Sequence, residues 1–155
     1  MVKRIGRMVP AVLGLLILMR AFPFVSAEEG AMSPEELAEE EYYDSLELLA
    51  VCVEAEAGNQ DLTGKRMVVD VILNRVDAPE WPDTIEEVIT EPYAFSSYWD
   101  GGMDRVWAPS EETFEAVRME LEKRSWPELY YFTSSGYSRY GTSWRKVGDH
   151  YFSTR

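Results

Sequence analysis

Glu54 and Glu56 close the run Leu48 to Gln60, and His150, the only histidine, stands far along the chain within Trp144 to Phe152. A helix turns about 100° per residue, so the apolar stripe of Leu46, Leu49, Ala50, Val53 and Ala57 centres near Leu46 and Val53. Glu56 then falls beside Leu49 and Cys52, and Glu54 beside Glu47 on the opposite flank. A carboxyl among apolar neighbours holds its proton more tightly, which suits a general acid for a glycosidic oxygen. The competing reading of Glu56 is an ordinary residue in the last turn. Repulsion from the helix C-terminus favours the protonated form in either case, so placement does not decide between them.

His150 reads equally as a satisfied structural histidine or as a substrate contact. With one histidine and one cysteine the chain lacks the donors of a conventional zinc hydrolase site, and neither metal nor cofactor is expected. Cys52 lies between Val51 and Val53 and reads as a small buried apolar side chain with no internal disulfide partner. Asn74 and Arg75 interrupt an otherwise apolar run, where bracing a loop by hydrogen bonds is the favoured reading. Phe95, Ser96, Tyr98 and Trp99 form an aromatic loop that suits a cleft wall, since sugar faces stack on rings; core packing competes for any single ring.

These residues need elements to hold them. Ser33-Pro34-Glu35-Glu36 supplies an N-cap, a proline at N1 and a glutamate at N3, which predicts a first helix. Its continuation through Glu39, Glu40 and Glu41 is acidic and solvated. Asp44-Ser45-Leu46-Glu47 is a second capping box and predicts a second helix, stopped at Gly58 and Asn59. Gly64 to Val76 lacks period-2 alternation and reads as a buried helix ending before Pro79 and Pro82. Thr84 caps a short helix to about Thr90, and Ser110 precedes one striped by Phe114, Val117 and Leu121. Leu129 to Thr133 predicts a strand and Val147 to Ser153 its return, across a Gly-, Ser- and Tyr-rich connection. The fold class is α+β, helix-dominated with one small antiparallel sheet.

Residues 1–27 carry Lys3, Arg4 and Arg7, an apolar run from Val9 to Met19, and Val25-Ser26-Ala27, the pattern of a secretory signal. That run is too short for a membrane span, although Arg20 leaves a retained anchor as the alternative. Residues 28–44 read as an acidic leader with a short helix, and 45–155 as one domain. Four basic residues lie in 1–27; the remaining 11 Lys and Arg against 28 Asp and Glu give the mature chain a formal charge of −17. Such acidity argues against nucleic acid as a partner.

The run Leu48 to Gln60, containing Glu54-Ala55-Glu56-Ala57, is followed by Gly64 and by Val71-Ile72-Leu73-Asn74-Arg75-Val76. Trp81-Pro82-Asp83-Thr84-Ile85, Phe95-Ser96, Tyr131-Phe132 and Val147-Gly148-Asp149-His150-Tyr151-Phe152 come next. In this order and spacing they resemble the spore cortex-lytic, SleB/CwlJ-type cell-wall hydrolase family over about residues 46 to 153. The resemblance implies a lysozyme-like domain with one catalytic glutamate, carried over to Glu56. It also implies peptidoglycan glycan strands as the partner, with Phe95, Ser96, Tyr98, Tyr131 and His150 as substrate-contact candidates. The preferred chemistry is a lytic transglycosylase; a water-dependent muramidase and a non-catalytic peptidoglycan-binding module stay open. The family motif usually continues Arg-Gly-Glu where this chain has Gly58-Asn59-Gln60, so no role carries over to those positions. The expected location is secreted or in the cell envelope, and placement at a spore layer would require the leader or an unidentified envelope or spore protein.

Overall fold

The structure, a computed structural model, describes residues 32–155. The secretory signal read in residues 1–27 lies outside the described residues. Helix α1 spans Pro34–Ala57, α2 Leu62–Asp77, α3 Ile85–Thr90, α4 Ser96–Trp99 and α5 Glu111–Glu122, with a 3-10 turn at Met103–Arg105 before α5. Strands β1 (Leu129–Thr133), β2 (Thr142–Val147) and β3 (His150–Thr154) form an antiparallel sheet in the order β1-β3-β2. Among the described residues no helix is long and apolar enough to cross a membrane.

Ser33 caps α1 as its sequence signature requires: its hydroxyl accepts from Glu36 N–H, and the Glu36 carboxylate accepts from Ser33 N–H. The second capping box at Asp44 is not used, because α1 runs unbroken from Pro34 to Ala57. A cap forms only where the backbone leaves helical geometry, and the helical segment leading into Asp44 has neither glycine nor proline past Pro34 to force that exit. The first part of α1 is exposed; burial begins near Leu49 and continues through Cys52, Val53 and Ala57. Glu54 and Glu56 therefore sit where this helix enters the core.

Helix α2 is the core's central rod, buried at every position from Met67 to Arg75. Uniform burial explains why its sequence shows no polar face. Val68, Val71 and Ile72 pack in one cluster with Leu49 and Val53 of α1, Val88 and Ile89 of α3, Val117 of α5, Leu129 of β1 and Phe152 of β3. Asn74 donates from Nδ2 to the carbonyls of Trp126 (2.8 Å) and Leu129 (2.9 Å), and Arg75 Nε donates to that of Tyr130 (2.9 Å). The polar interruptions of α2 thus hold β1 against the helix.

Where α2 meets α5 the core contains two acids, Asp70 and Glu120, both fully buried. Asp70 Oδ2 accepts from Ser125 N–H (3.1 Å) and Trp126 N–H (2.7 Å), while Glu120 pairs with Arg66 Nε (2.6 Å). Burial, opposed by the Trp126 hydrogen bond and reinforced by Glu120, pushes the Asp70 carboxyl up to about 7. Two adjacent carboxyls out of water share a proton more readily than they carry two charges.

The sheet has one strand more than its sequence predicts. Thr142 to Lys146 reads as connection but forms β2 together with Val147, which reads as the start of the return, and the return strand begins only at His150. A register irregularity between Ser143 and Arg145 breaks the alternation by which a strand is recognised, and Arg145 and Lys146 are both exposed. Gly148-Asp149 is the two-residue hairpin turn, with Gly148 at φ +54°, a conformation that suits glycine.

Candidate active site

Glu56 lies in the last turn of α1, half-buried, and its Oε1 accepts a hydrogen bond from the Ser97 N–H at 3.1 Å. That donor belongs to α4, the one-turn helix in the aromatic loop, which packs against α1. Ser97 is itself buried, and its hydroxyl has no hydrogen-bond partner among the described residues. Gly102 presses on it, since a Cβ there would come within 2.9 Å of both Ser97 Cα and Cβ. The Ser97 amide is thereby fixed in place beneath the Glu56 carboxylate.

His150 opens β3 and lies near enough to Glu56 for that carboxylate's charge to act on its ring. Its ring packs between Phe132 (centroids 5.1 Å apart) and Phe152 (6.0 Å), and Nδ1 is buried with no partner among the described residues. Burial lowers the imidazole's pKa, while the negative charges of Glu56 and Asp149 act in the opposite direction. The net lowering favours the neutral ring. Glu56 also acts on Cys52: burial raises the thiol's pKa far above its ordinary value, and the nearby carboxylate adds to that. A thiol so disposed is no nucleophile.

Glu54, separated from Glu56 by Ala55 alone, faces the N-terminus of α5. It accepts from Ser110 N–H (3.1 Å), Ser110 Oγ (2.9 Å) and Thr113 Oγ1. Burial would raise its pKa, but the hydrogen bonds from Thr113 and Ser110 and the charge of Lys65 outweigh that and lower it. Glu54 is an anchored anion.

The aromatic candidates separate. Phe95 is buried in the core beside Phe132 (6.0 Å) and beneath Arg75, so its ring offers no face to a ligand. Ser96 is exposed at the start of α4, and Tyr98 is 41% exposed with its ring edge-on to Trp99 at 5.2 Å. Tyr131 belongs to a different cluster, packing with Trp81 (6.2 Å) and Tyr140 (6.1 Å) around Arg75. The structure joins Glu56 to α4 through the Ser97 amide, leaves His150 near enough for the Glu56 charge to act on it, and sets Ser96 and Tyr98 along the α4 loop. Phe95 is sealed in the core against Phe132, which also touches His150, and Tyr131 packs away with Trp81 and Tyr140. Ser97 carries no signal in the sequence, because its contact to Glu56 is made by the backbone. Among the described residues no group of three or more His, Cys, Asp or Glu side chains is placed to hold a metal.

A family model described as Cell Wall Hydrolase matches residues 59–153, beginning just after Glu56. Spore cortex-lytic enzymes are similar in sequence. That of Oceanobacillus iheyensis is 33% identical over 116 residues, 70% of this chain and 41% of that one. That of Halalkalibacterium halodurans is 32% identical over 115 residues, 70% of this chain and 34% of that one. The chain thus spans less than half the length of these curated relatives. In three dimensions it is similar to the catalytic domain of the Bacillus cereus SleB protein, with TM-score 0.63 and 27% identity over 72% of this chain and 91% of that domain. A second solved structure, the catalytic domain of the germination-specific lytic transglycosylase SleB from Bacillus anthracis, gives TM-score 0.61 and 26% identity over 71% and 93%.

Proposed function

The chain belongs to the cell wall hydrolase family, and from that premise we propose that it degrades peptidoglycan as a lytic transglycosylase with Glu56 as the catalytic acid and base. The observation that carries this reading is the Glu56 carboxylate: one oxygen is engaged by a buried backbone amide, and Glu54, its near neighbour, is already committed to α5.

In the proposed reaction Glu56 gives its proton to the oxygen linking N-acetylmuramic acid to N-acetylglucosamine, and the bond from that oxygen to the muramic anomeric carbon breaks. Positive charge develops at the anomeric carbon. The 6-hydroxyl oxygen of the same muramic residue attacks it, and the hydroxyl proton passes to the Glu56 carboxylate. The acid is restored, and the product is a 1,6-anhydro sugar. No second carboxylate and no water enter the bond-making step. Ser97 N–H orients the carboxylate, and the exposed ring of Tyr98 supplies a stacking surface for a sugar. His150, within reach of the Glu56 charge, serves as a neutral contact.

The relatives described as spore cortex-lytic enzymes support cortex peptidoglycan as the substrate and the spore or cell envelope as the location. Export by the N-terminal signal is part of the same proposal. The test is mass spectrometry of fragments released from purified cortex and vegetative peptidoglycan by residues 28–155, with Glu56→Gln in parallel. Anhydro-muramic ends that vanish in the variant are the expected result. Reducing ends would replace the reading with hydrolysis, and binding without release would replace it with a glycan-binding module.

A further inference from the structure

The turn after α1 and the turn before β3 are joined by a network of four hydrogen bonds through Asn59 and Gln60. Gln60 Oε1 accepts from Asp149 N–H (2.9 Å), and Gln60 Nε2 donates to Asp149 Oδ2 (3.2 Å) and to Asn59 Oδ1 (2.7 Å). Asn59 Nδ2 donates to the same Asp149 oxygen (3.2 Å). Gln60 is buried although it belongs to a turn, and the hairpin is pressed onto its amide so closely that any Cβ at Gly148 would overlap Gln60 Oε1.

We propose that Gln60 is a positioning residue: with Asn59 it latches the Gly148-Asp149 turn to the end of α1 and so sets His150 against Glu56. The latch lies four residues beyond Glu56 in one direction and immediately before His150 in the other, so it ties the end of the helix that carries Glu56 to the strand that His150 opens. His150 depends on such a latch because its Nδ1 has no hydrogen bond among the described residues to orient the ring; the backbone and the flanking Phe132 and Phe152 rings must do so. An amide is needed at position 60 because the site asks one side chain both to accept from a backbone N–H and to donate to a carboxylate. Glutamate would keep the first bond and set its second oxygen against Asp149, with like charges at hydrogen-bond distance.

The proposal rests on the reading of Glu56 as the catalytic group, and its test reads the latch separately. In the chain of residues 28–155, Gln60→Glu is compared with Gln60→Glu/Asp149→Asn. In the double variant the amide introduced at position 149 donates to the carboxylate introduced at position 60, so the polarity of the pair is reversed. Gln60→Glu is expected to lower kcat for cortex fragment release about 10-fold with KM little changed, the scale of a small misplacement of a reacting group. The double variant should recover to within about 3-fold. Because His150 is the only histidine, its imidazole NMR signals are unambiguous; they should move in the single variant and return in the double. Asn59→Ala, which removes two of the four bonds without changing charge, should lower kcat about 3-fold and carries the test if Gln60→Glu does not fold. Unchanged kcat with unmoved His150 signals, or a loss the double variant does not recover, would overturn the latch. If the wild-type chain releases no fragments, the catalytic reading fails, and the His150 signals alone still decide whether the latch orders that ring.

Discussion

Glu54 and Glu56 differ by one intervening residue on one helix, yet the surroundings give them opposite capacities. Glu54 meets the first turn of α5, where Ser110 and Thr113 supply three hydrogen bonds and Lys65 a nearby positive charge. A carboxylate held by that many donors is fixed as an ion and has little reason to exchange a proton. Glu56 meets α4, where the Ser97 amide engages one oxygen. Alternate positions on a helix end point to different neighbours, and the neighbours decide whether a carboxylate holds two elements together or is free to react. Neither residue type nor exposure separates them, since both are half-buried.

The sharpest way to break this contrast is to neutralise each carboxylate in turn. Glu56→Gln keeps an oxygen to accept from Ser97 N–H and should leave the melting temperature within about 2 °C while lowering fragment release by at least about 100-fold, the usual share of a general acid. Release kinetics together with calorimetry check both halves. A Glu56→Gln variant that keeps its activity would remove the chemical half of the contrast.

The Asp70 and Glu120 pair extends the comparison to carboxyls that are fully buried. Asp70 is raised from its ordinary value to about 7, so the folded state binds a proton that the unfolded chain has already released. Its contribution to stability is complete below pH 3.8 and is lost as pH rises through about 7. Denaturant unfolding between about pH 5 and 8 should show stability falling by on the order of a few kcal/mol from this group, and Asp70→Asn should flatten that slope. Glu54 works in the opposite sense: its lowered value contributes stability above the ordinary carboxyl range that is lost as pH falls.

Elements with strong local signals are legible in the sequence. The Ser33 cap, the buried rod of α2, the Phe114, Val117 and Leu121 stripe of α5, and β1 all follow from caps and periodicity, and all are present. The Asp44 capping box misleads because the helix already started at the Ser33 cap meets no glycine or further proline between Pro34 and Asp44 that would end it. Strand β2 is hidden by its irregular register and by two exposed basic residues. At the candidate site, Glu56 is singled out by the family resemblance rather than by its placement and His150 by being the only histidine, whereas Ser97 contacts Glu56 through an amide that every residue but proline possesses. The Gln60 to Asp149 contact joins positions 89 residues apart and leaves no local trace in either segment.

A smaller effect on the structural side comes from Glu54→Gln. The amide can accept fewer of the bonds from Ser110 and Thr113, and losing hydrogen bonds to a charged group costs about 1.5–3 kcal/mol. The expected outcome is a lower denaturation midpoint with an unchanged m-value and a stability that depends less on acid pH. If Glu54→Gln instead abolished release without loss of stability, the two carboxylates would have to act together, and the single-acid mechanism would give way to a two-carboxylate one.

Tyr98 gives the smallest expected change and the finest distinction. Its ring meets Trp99 edge-on and is 41% exposed on the loop whose amide engages Glu56, whereas Phe95, three residues earlier, is sealed in the core. Removing a ring that stands partly in solvent takes away a stacking face for sugar, worth about 0.5–1.5 kcal/mol. Tyr98→Ala should therefore raise KM for glycan about 2- to 10-fold, with the loss carried by binding and the melting temperature nearly constant. A fall in kcat of the same size would instead mean that the loop transmits the change through Ser97 to the Glu56 carboxylate, since among the described residues that amide is the hydrogen-bonded link between α4 and the acid.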